Sequence, residues 1–398
     1  MLPRPNLSFT LPSIHDNTKL DCRIYHPKSL DGPLGPSDES WRRHAAVVAH
    51  PYAPLGGSYD DPIVQLVAST LVHLGFVVAT FNFRGASSSG SHTSWTSRPE
   101  RADYMSVAGF LIHYVHYLRP HHNPRSAEEP LPTLLFAGYS YGAMVTMQLP
   151  SLDSYMPHFA SPAAHTASAD IRLRAQHLAE QQVLISATPA SPRRSLGVRV
   201  GGDEDTSLQK DHRKQRSRSP DREERIRKGV RDILSRSKLI RRRHHKEPPN
   251  EYEVVEHECL DHIDNLAKFR SAYLLVSPPL GLATNLATMS FSNPLSGWSK
   301  RGRGGSSSSK DAGDTTKREE AEAEMKLTAN PTLTVYGDRD GFLTLKKMRD
   351  WTTELGSTEG SLFHHVEVPG AGHFWVEEDV IYELREAVLS FAKRLIQT

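Results

Sequence analysis

Cysteine is almost missing from this chain: Cys22 and Cys259 are the only two in 398 residues. Lying so far apart, they argue against a disulfide framework or a cysteine metal cluster, and they fit a reducing compartment. Long hydrophobic runs are missing too. No stretch of about 18 apolar residues occurs, so no transmembrane helix is expected. The opening residues, MLPRPNLSFTLPSIHDN, lack the apolar centre of a secretory signal. A soluble cytoplasmic protein is therefore expected. Net charge is close to absent, at +2, so the molecule as a whole gives no electrostatic pull toward nucleic acid, and no nucleic-acid partner is expected. Apolar residues are few, at 37%, which is too little for every part of the chain to pack.

What is present is a succession of short apolar runs and amphipathic stretches. LSFTLP and LDCRIYHP read as an opening hairpin, and AAVVAH, FVVATFNF and PTLLFAG as buried strands. DDPIVQLVASTLVHLG reads as a helix capped by Asp60 or Asp61 with Pro62 in its first turn, and residues 98–118 as a second helix. Uniformly apolar strands alternating with helices imply a parallel sheet covered on both faces. After residue 150 the pattern degrades. Residues 168–181 suit one polar helix, and residues 189–250 are dominated by Arg, Lys, Ser and Pro. Such a tract buries too little apolar surface to offset its ordering entropy and is expected to be disordered. Within it, residues 223–240 carry Ile226, Val230, Ile233 and Leu234 on one helical face and basic residues on the other, a pattern suited to acidic lipid or a protein partner. Strand patterns resume at FRSAYLLVSPPLG, then in PTLTVYGDRDGF and HHVEVPGAGHFW, followed by a long helix. The expected fold class is α/β, a mostly parallel central sheet flanked by helices, with disordered insertions. Its blocks are a core at 1–150, a largely disordered basic insertion at 151–267, a core strand and the start of a flap at 268–293, a low-complexity linker at 294–327, and a last core block at 328–398.

The most informative segment is LLFAGYSYGAMV, residues 134–145. A serine flanked by glycines at i−2 and i+2, at the end of a buried strand and the start of a helix, fits a strained turn that pushes its hydroxyl out of the sheet edge. Ser140 is then a candidate nucleophile. A lone serine hydroxyl reacts slowly, so a base and an orienting acid are required. His373, in the glycine-rich loop after VEV, suits the base. Asp340, in the loop after LTVYG, suits the acid, with Asp338 as the alternative nearer the strand end. The order Ser, Asp, His is the one that accompanies this kind of turn. Two backbone amides are expected to hold a developing oxyanion: that of Tyr141, directly after the serine, and that of Tyr52, because Pro51 has no N–H. His113 and His116, spaced i, i+3, read as an ordinary helix-face pair. No metal and no cofactor are expected.

Taken together, HPYAPLGG, FNFRG, GYSYGA, GDRD and GAGHFW, in this order, resemble the α/β-hydrolase superfamily. More narrowly they are similar to a group of intracellular hydrolases with a His-Pro…Gly-Gly loop; here Ala53 stands where that group often has a second proline. The Arg/Ser-Pro tract suggests a eukaryotic member, with fungi among the candidates. The resemblance implies a serine hydrolase with Ser140, Asp340 and His373 as its triad, acting on a small-molecule acyl substrate through an acyl-enzyme. Carboxylic esters are the expected substrates. An aminopeptidase-like or acyl-thioester hydrolase is the alternative, as is a non-catalytic interaction protein that uses its basic insertion.

Overall fold

The computed structural model describes residues 1–30, 41–87, 89–94, 97–118, 130–187, 228, 259–280 and 321–397. The basic tract at 189–250, with the amphipathic helix expected at 223–240, lies outside the described residues apart from Lys228. So does the apolar flap expected after residue 280.

Eight strands form one sheet: β1 (Leu7–Pro12), β2 (Lys19–Tyr25), β3 (Ala45–Ala49), β4 (Val77–Phe81), β5 (Thr133–Tyr139), β6 (Arg270–Val276), β7 (Thr332–Gly337) and β8 (Phe363–Val368). Their order is β1-β2-β4-β3-β5-β6-β7-β8. β1 and β2 form the antiparallel hairpin, β2 meets β4 antiparallel, and from β4 to β8 every neighbour is parallel. Parallel strands bring their carboxyl ends to one edge, where α/β sheets carry their sites.

The inner strands β3, β4, β5 and β7 are buried at every position because both faces are covered, whereas β1 and β8 at the two edges keep partly exposed residues. Along β5, Leu134 and Phe136 point to one core, while Leu135, Ala137 and Tyr139 point to the other. The first core is closed by α2 (Arg98–Leu118), α3 (Tyr141–Met147) and α6 (Ala167–Ala187), through side chains such as Phe110, Val145 and Ile171. The second is closed by α1 (Pro62–His73) and the C-terminal helix α9 (Val380–Gln397), through Val64, Leu71, Leu384 and Val388. Short helices α4 (Leu152–Tyr155) and α5 (Pro157–Ala160) link α3 to α6. Residues 321–329 form α7, and α8 (Leu345–Ser357) precedes β8. Each fully buried Leu, Val or Phe here contributes about 1.5–3 kcal/mol relative to exposure. α1 starts where Asp61 accepts the Ile63 amide at 2.8 Å, with Pro62 in its first turn.

Two segments differ from the sequence reading. α6 is longer than 168–181, and it has a buried face (Ile171, Leu173, Ala175, Leu178) packed on α2. The arginines on it serve packing: Arg172 donates to the Ala160 and Asp261 carbonyls at 2.7 and 2.8 Å, and Arg174 to the Thr10 carbonyl at 3.0 Å. α7 falls partly within the stretch expected as a linker, and it buries Lys326 and Leu327.

The loop after β4 is tied down by Arg84. Its guanidinium meets the fully buried Asp103 carboxylate at 2.7 and 3.0 Å and the partly exposed Asp16 at 2.9 Å. Removing one partner of a buried pair strands the other charge. Asp103→Ala is therefore expected to cost about 3–5 kcal/mol in urea unfolding. Asp16→Ala, at the solvent end, is expected to cost under about 1 kcal/mol. Equal losses would contradict this division.

Among the described residues, no helix is long and apolar enough to cross a membrane, and no group of three or more His, Cys, Asp or Glu side chains could hold a metal ion. The buried His113 donates from Nδ1 to the Gly109 carbonyl at 2.7 Å, an intrahelical bond.

Candidate active site

Strand β5 ends in a turn at Ser140, whose backbone has φ 53 and ψ −117 before α3 begins at Tyr141. A positive φ in a residue with a side chain costs of order 1–3 kcal/mol, and the surroundings must enforce it. They do so by close approach. A Cβ at Gly138 would sit 2.3 Å from the Gly142 backbone, and one at Gly142 would sit 2.6 Å from the Ala49 carbonyl oxygen. The Ser140 amide stays in the sheet, donating to Val276 at 2.8 Å, and the Ser140 carbonyl accepts from Met144 at 3.0 Å, the first bond of the helix.

The Ser140 hydroxyl lies 2.8 Å from Nε2 of His373, and Nδ1 of His373 lies 2.8 Å from Oδ2 of Asp340. The Asp340 carboxylate accepts, so the proton sits on Nδ1 and the Nε2 lone pair faces the serine. Asp340 is itself fixed, since Oδ1 accepts the Phe342 amide at 2.9 Å. Asp338 faces elsewhere: its Oδ1 accepts the Gly370 amide at 2.6 Å and fastens the histidine loop. All three interacting side chains are nearly buried. They reach one another because β5, β7 and β8 end on the same sheet edge. At the end of β7, a Cβ on Gly337 would come within 2.0 Å of the Ala371 carbonyl oxygen, so glycine there lets the histidine loop lie across the acid loop.

The loop after β3 borders the same turn. His50 is fully buried, accepts the Phe83 amide at Nε2 (2.9 Å) and donates from Nδ1 to the Pro51 carbonyl. Burial lowers its pKa to about 4, against a smaller opposing effect of the Pro51 carbonyl, so it is neutral and joins the β3 and β4 loops. The Tyr52 carbonyl accepts from the Leu55 and Gly57 amides, and the Tyr52 ring packs 5.2 Å from the Tyr141 ring. The Tyr141 amide heads α3, where a helix has no acceptor of its own to offer. Among the described residues, no backbone carbonyl accepts from the Tyr52 or Tyr141 amide. On the solvent side, the Phe342 ring lies 4.5 Å from the His373 ring and the Phe374 ring 5.4 Å from it. Both phenylalanines are exposed, and they give the imidazole an apolar outer wall.

No protein-family model matches the chain, and no curated protein sequence matches it. Among solved structures, a serine hydrolase without a lid from Xanthomonas campestris is similar at 16% identity, with 99% of this chain and 96% of that chain covered and a TM-score of 0.43. Est1E from Butyrivibrio proteoclasticus, solved with ferulic acid bound, is similar at 12% identity, with 98% and 100% covered and a TM-score of 0.44. The Pyrococcus furiosus esterase Pf2001 is similar at 12% identity, with 98% and 89% covered and a TM-score of 0.41.

Several side chains around the site have no signature in the sequence. Lys326, from α7, is buried and donates to the Thr146, Met147 and Leu149 carbonyls at 3.3, 2.8 and 2.6 Å, closing the C-terminal end of the helix that Ser140 begins. A cation suits that end of a helix. Burial lowers its ammonium to about 7, with Arg101 adding to the effect. Trp375 donates from Nε1 to the Ser277 hydroxyl at 3.1 Å, and both residues have positive φ. Tyr139 donates its hydroxyl to the backbone carbonyl of His373 at 2.8 Å. All three place a polar atom at a buried position, a feature that only the three-dimensional partner reveals.

Proposed function

We propose that this protein is a serine hydrolase acting on carboxylic esters through an acyl-enzyme. The observation that carries the reading is the continuous hydrogen-bonded path from the Ser140 hydroxyl through His373 to Asp340, at 2.8 Å in each step, assembled from three strand ends. Ser140 Oγ attacks the acyl carbon while His373 Nε2 takes its proton. The tetrahedral oxyanion is held by the Tyr141 and Tyr52 amides. His373 then returns the proton to the departing alcohol, leaving the acyl group on Ser140. Water, deprotonated by His373, attacks the acyl-enzyme; the acid departs and the proton returns to Ser140. Asp340 keeps the imidazole in the required tautomer and stabilises it when charged. The apolar wall of Phe342 and Phe374 favours an acyl group over a charged substrate segment. No cofactor takes part in this scheme.

A panel of p-nitrophenyl esters, acyl-CoA thioesters and aminoacyl anilides tests the bond. The expected result is the highest kcat/KM on an ester. A higher value on thioester or anilide would replace the ester reading, and no turnover in any class would overturn the hydrolase reading.

A further inference from the structure

Tyr139 occupies the first variable position of the Gly-Tyr-Ser-Tyr-Gly turn, immediately before the nucleophile. It ends β5 with its side chain on the α1/α9 face and is 3% exposed. Its ring lies 5.8 Å from the His373 ring, inclined by 31°. Burial, with the nearby Asp61 and Asp340 carboxylates adding to it, pushes the phenol well above its ordinary range. The hydroxyl therefore keeps its proton and acts as a donor to the His373 carbonyl at 2.8 Å.

The position of that carbonyl matters because residues 369–376 form a loop without a strand ladder to hold them. Its flanks are fastened by contacts that include the Gly370 amide to Asp338, the Ala371 carbonyl to the Arg339 amide at 3.0 Å, and Trp375 to Ser277. The Tyr139 bond fastens the backbone of residue 373 itself. The anchor is also next to the nucleophile in sequence, on the same strained turn. A shift of the turn then moves Ser140 and the imidazole together.

We propose that Tyr139 is a positioning residue, whose hydroxyl holds the His373 backbone and so sets the approach of the imidazole to Ser140. This rests on the serine hydrolase reading above. Tyr139→Phe removes the hydroxyl and leaves the ring in place. On p-nitrophenyl acetate, kcat per active site titrated with a fluorophosphonate is expected to fall by about 10- to 100-fold, the size of effect that a misplacement near 1 Å produces. KM is expected to stay within about twofold, since substrate contacts are unchanged. Incorporating para-aminophenylalanine at position 139 restores an N–H donor on the same ring and is expected to recover most of kcat; this variant also carries the test if the phenylalanine variant does not fold. Wild-type kcat per titrated site in Tyr139→Phe, or failure of the amino variant to recover activity, would overturn the positioning role. Failure of the wild-type protein to react with the fluorophosphonate at all would instead overturn the hydrolase reading.

Discussion

Ser140→Ala is expected to lower kcat/KM on p-nitrophenyl acetate by about 10⁴ or more while leaving the protein folded. The hydroxyl's one described side-chain partner is His373 at 2.8 Å, so the substitution removes the proposed nucleophile and little packing. Alanine carries a Cβ just as serine does, so the strain of a positive φ at this position is the same in both proteins. The proposed oxyanion amides of Tyr141 and Tyr52 are backbone groups and survive the change. Residual activity above the uncatalysed rate is therefore expected, from oxyanion stabilisation and binding alone. Steady-state kinetics with a circular dichroism melt on the same sample separates lost chemistry from lost fold. A variant that keeps more than a tenth of wild-type kcat/KM would contradict the assignment of the nucleophile.

Asp340→Asn is the second large effect, with kcat expected to fall by about 10⁴. The Asp340 carboxylate accepts from His373 Nδ1 and from the Phe342 amide. An amide of the same shape keeps the Phe342 bond with its carbonyl oxygen and turns its NH₂ group toward His373. The imidazole must then accept at Nδ1 and carry its proton on Nε2, where it faces Ser140 without a lone pair. Geometry is preserved and the base is lost. Asp338→Asn provides the control, because its bond to the Gly370 amide needs only a carbonyl oxygen. Activity there is expected to stay within a few-fold of wild type. Comparable losses in the two variants would remove the distinction between the two carboxylates.

The parts of the fold that could be read from the sequence are those whose signal is local. The helix at residues 98–118 and the turn at Gly138 to Gly142 each carry their periodicity or glycine spacing within a few residues, and both stand where the pattern puts them. Asp61, rather than Asp60, caps α1; the choice depends on which carboxylate reaches the Ile63 amide, and adjacent identical residues cannot signal it. The buried face of α6 and the whole of α7 are hidden for a different reason. Arg172, Arg174 and Lys326 look like surface residues by composition, yet each satisfies backbone carbonyls at a buried seam. The meeting of Ser140, His373 and Asp340 at one edge followed from strand ends and chain order. The Tyr139 contact did not, because its partner lies 234 residues away and a tyrosine in an apolar strand already has a sufficient explanation in packing.

In the proposed function, His373 makes the Ser140 hydroxyl nucleophilic. This is tested most directly by treating the protein with a fluorophosphonate and locating the adduct by peptide mass mapping. One adduct per chain, on the peptide containing Ser140, with labelling slowed at least about 100-fold in His373→Ala, is the predicted result. An unlabelled wild-type protein, an adduct on another residue, or undiminished labelling of Ser140 without His373 would contradict it.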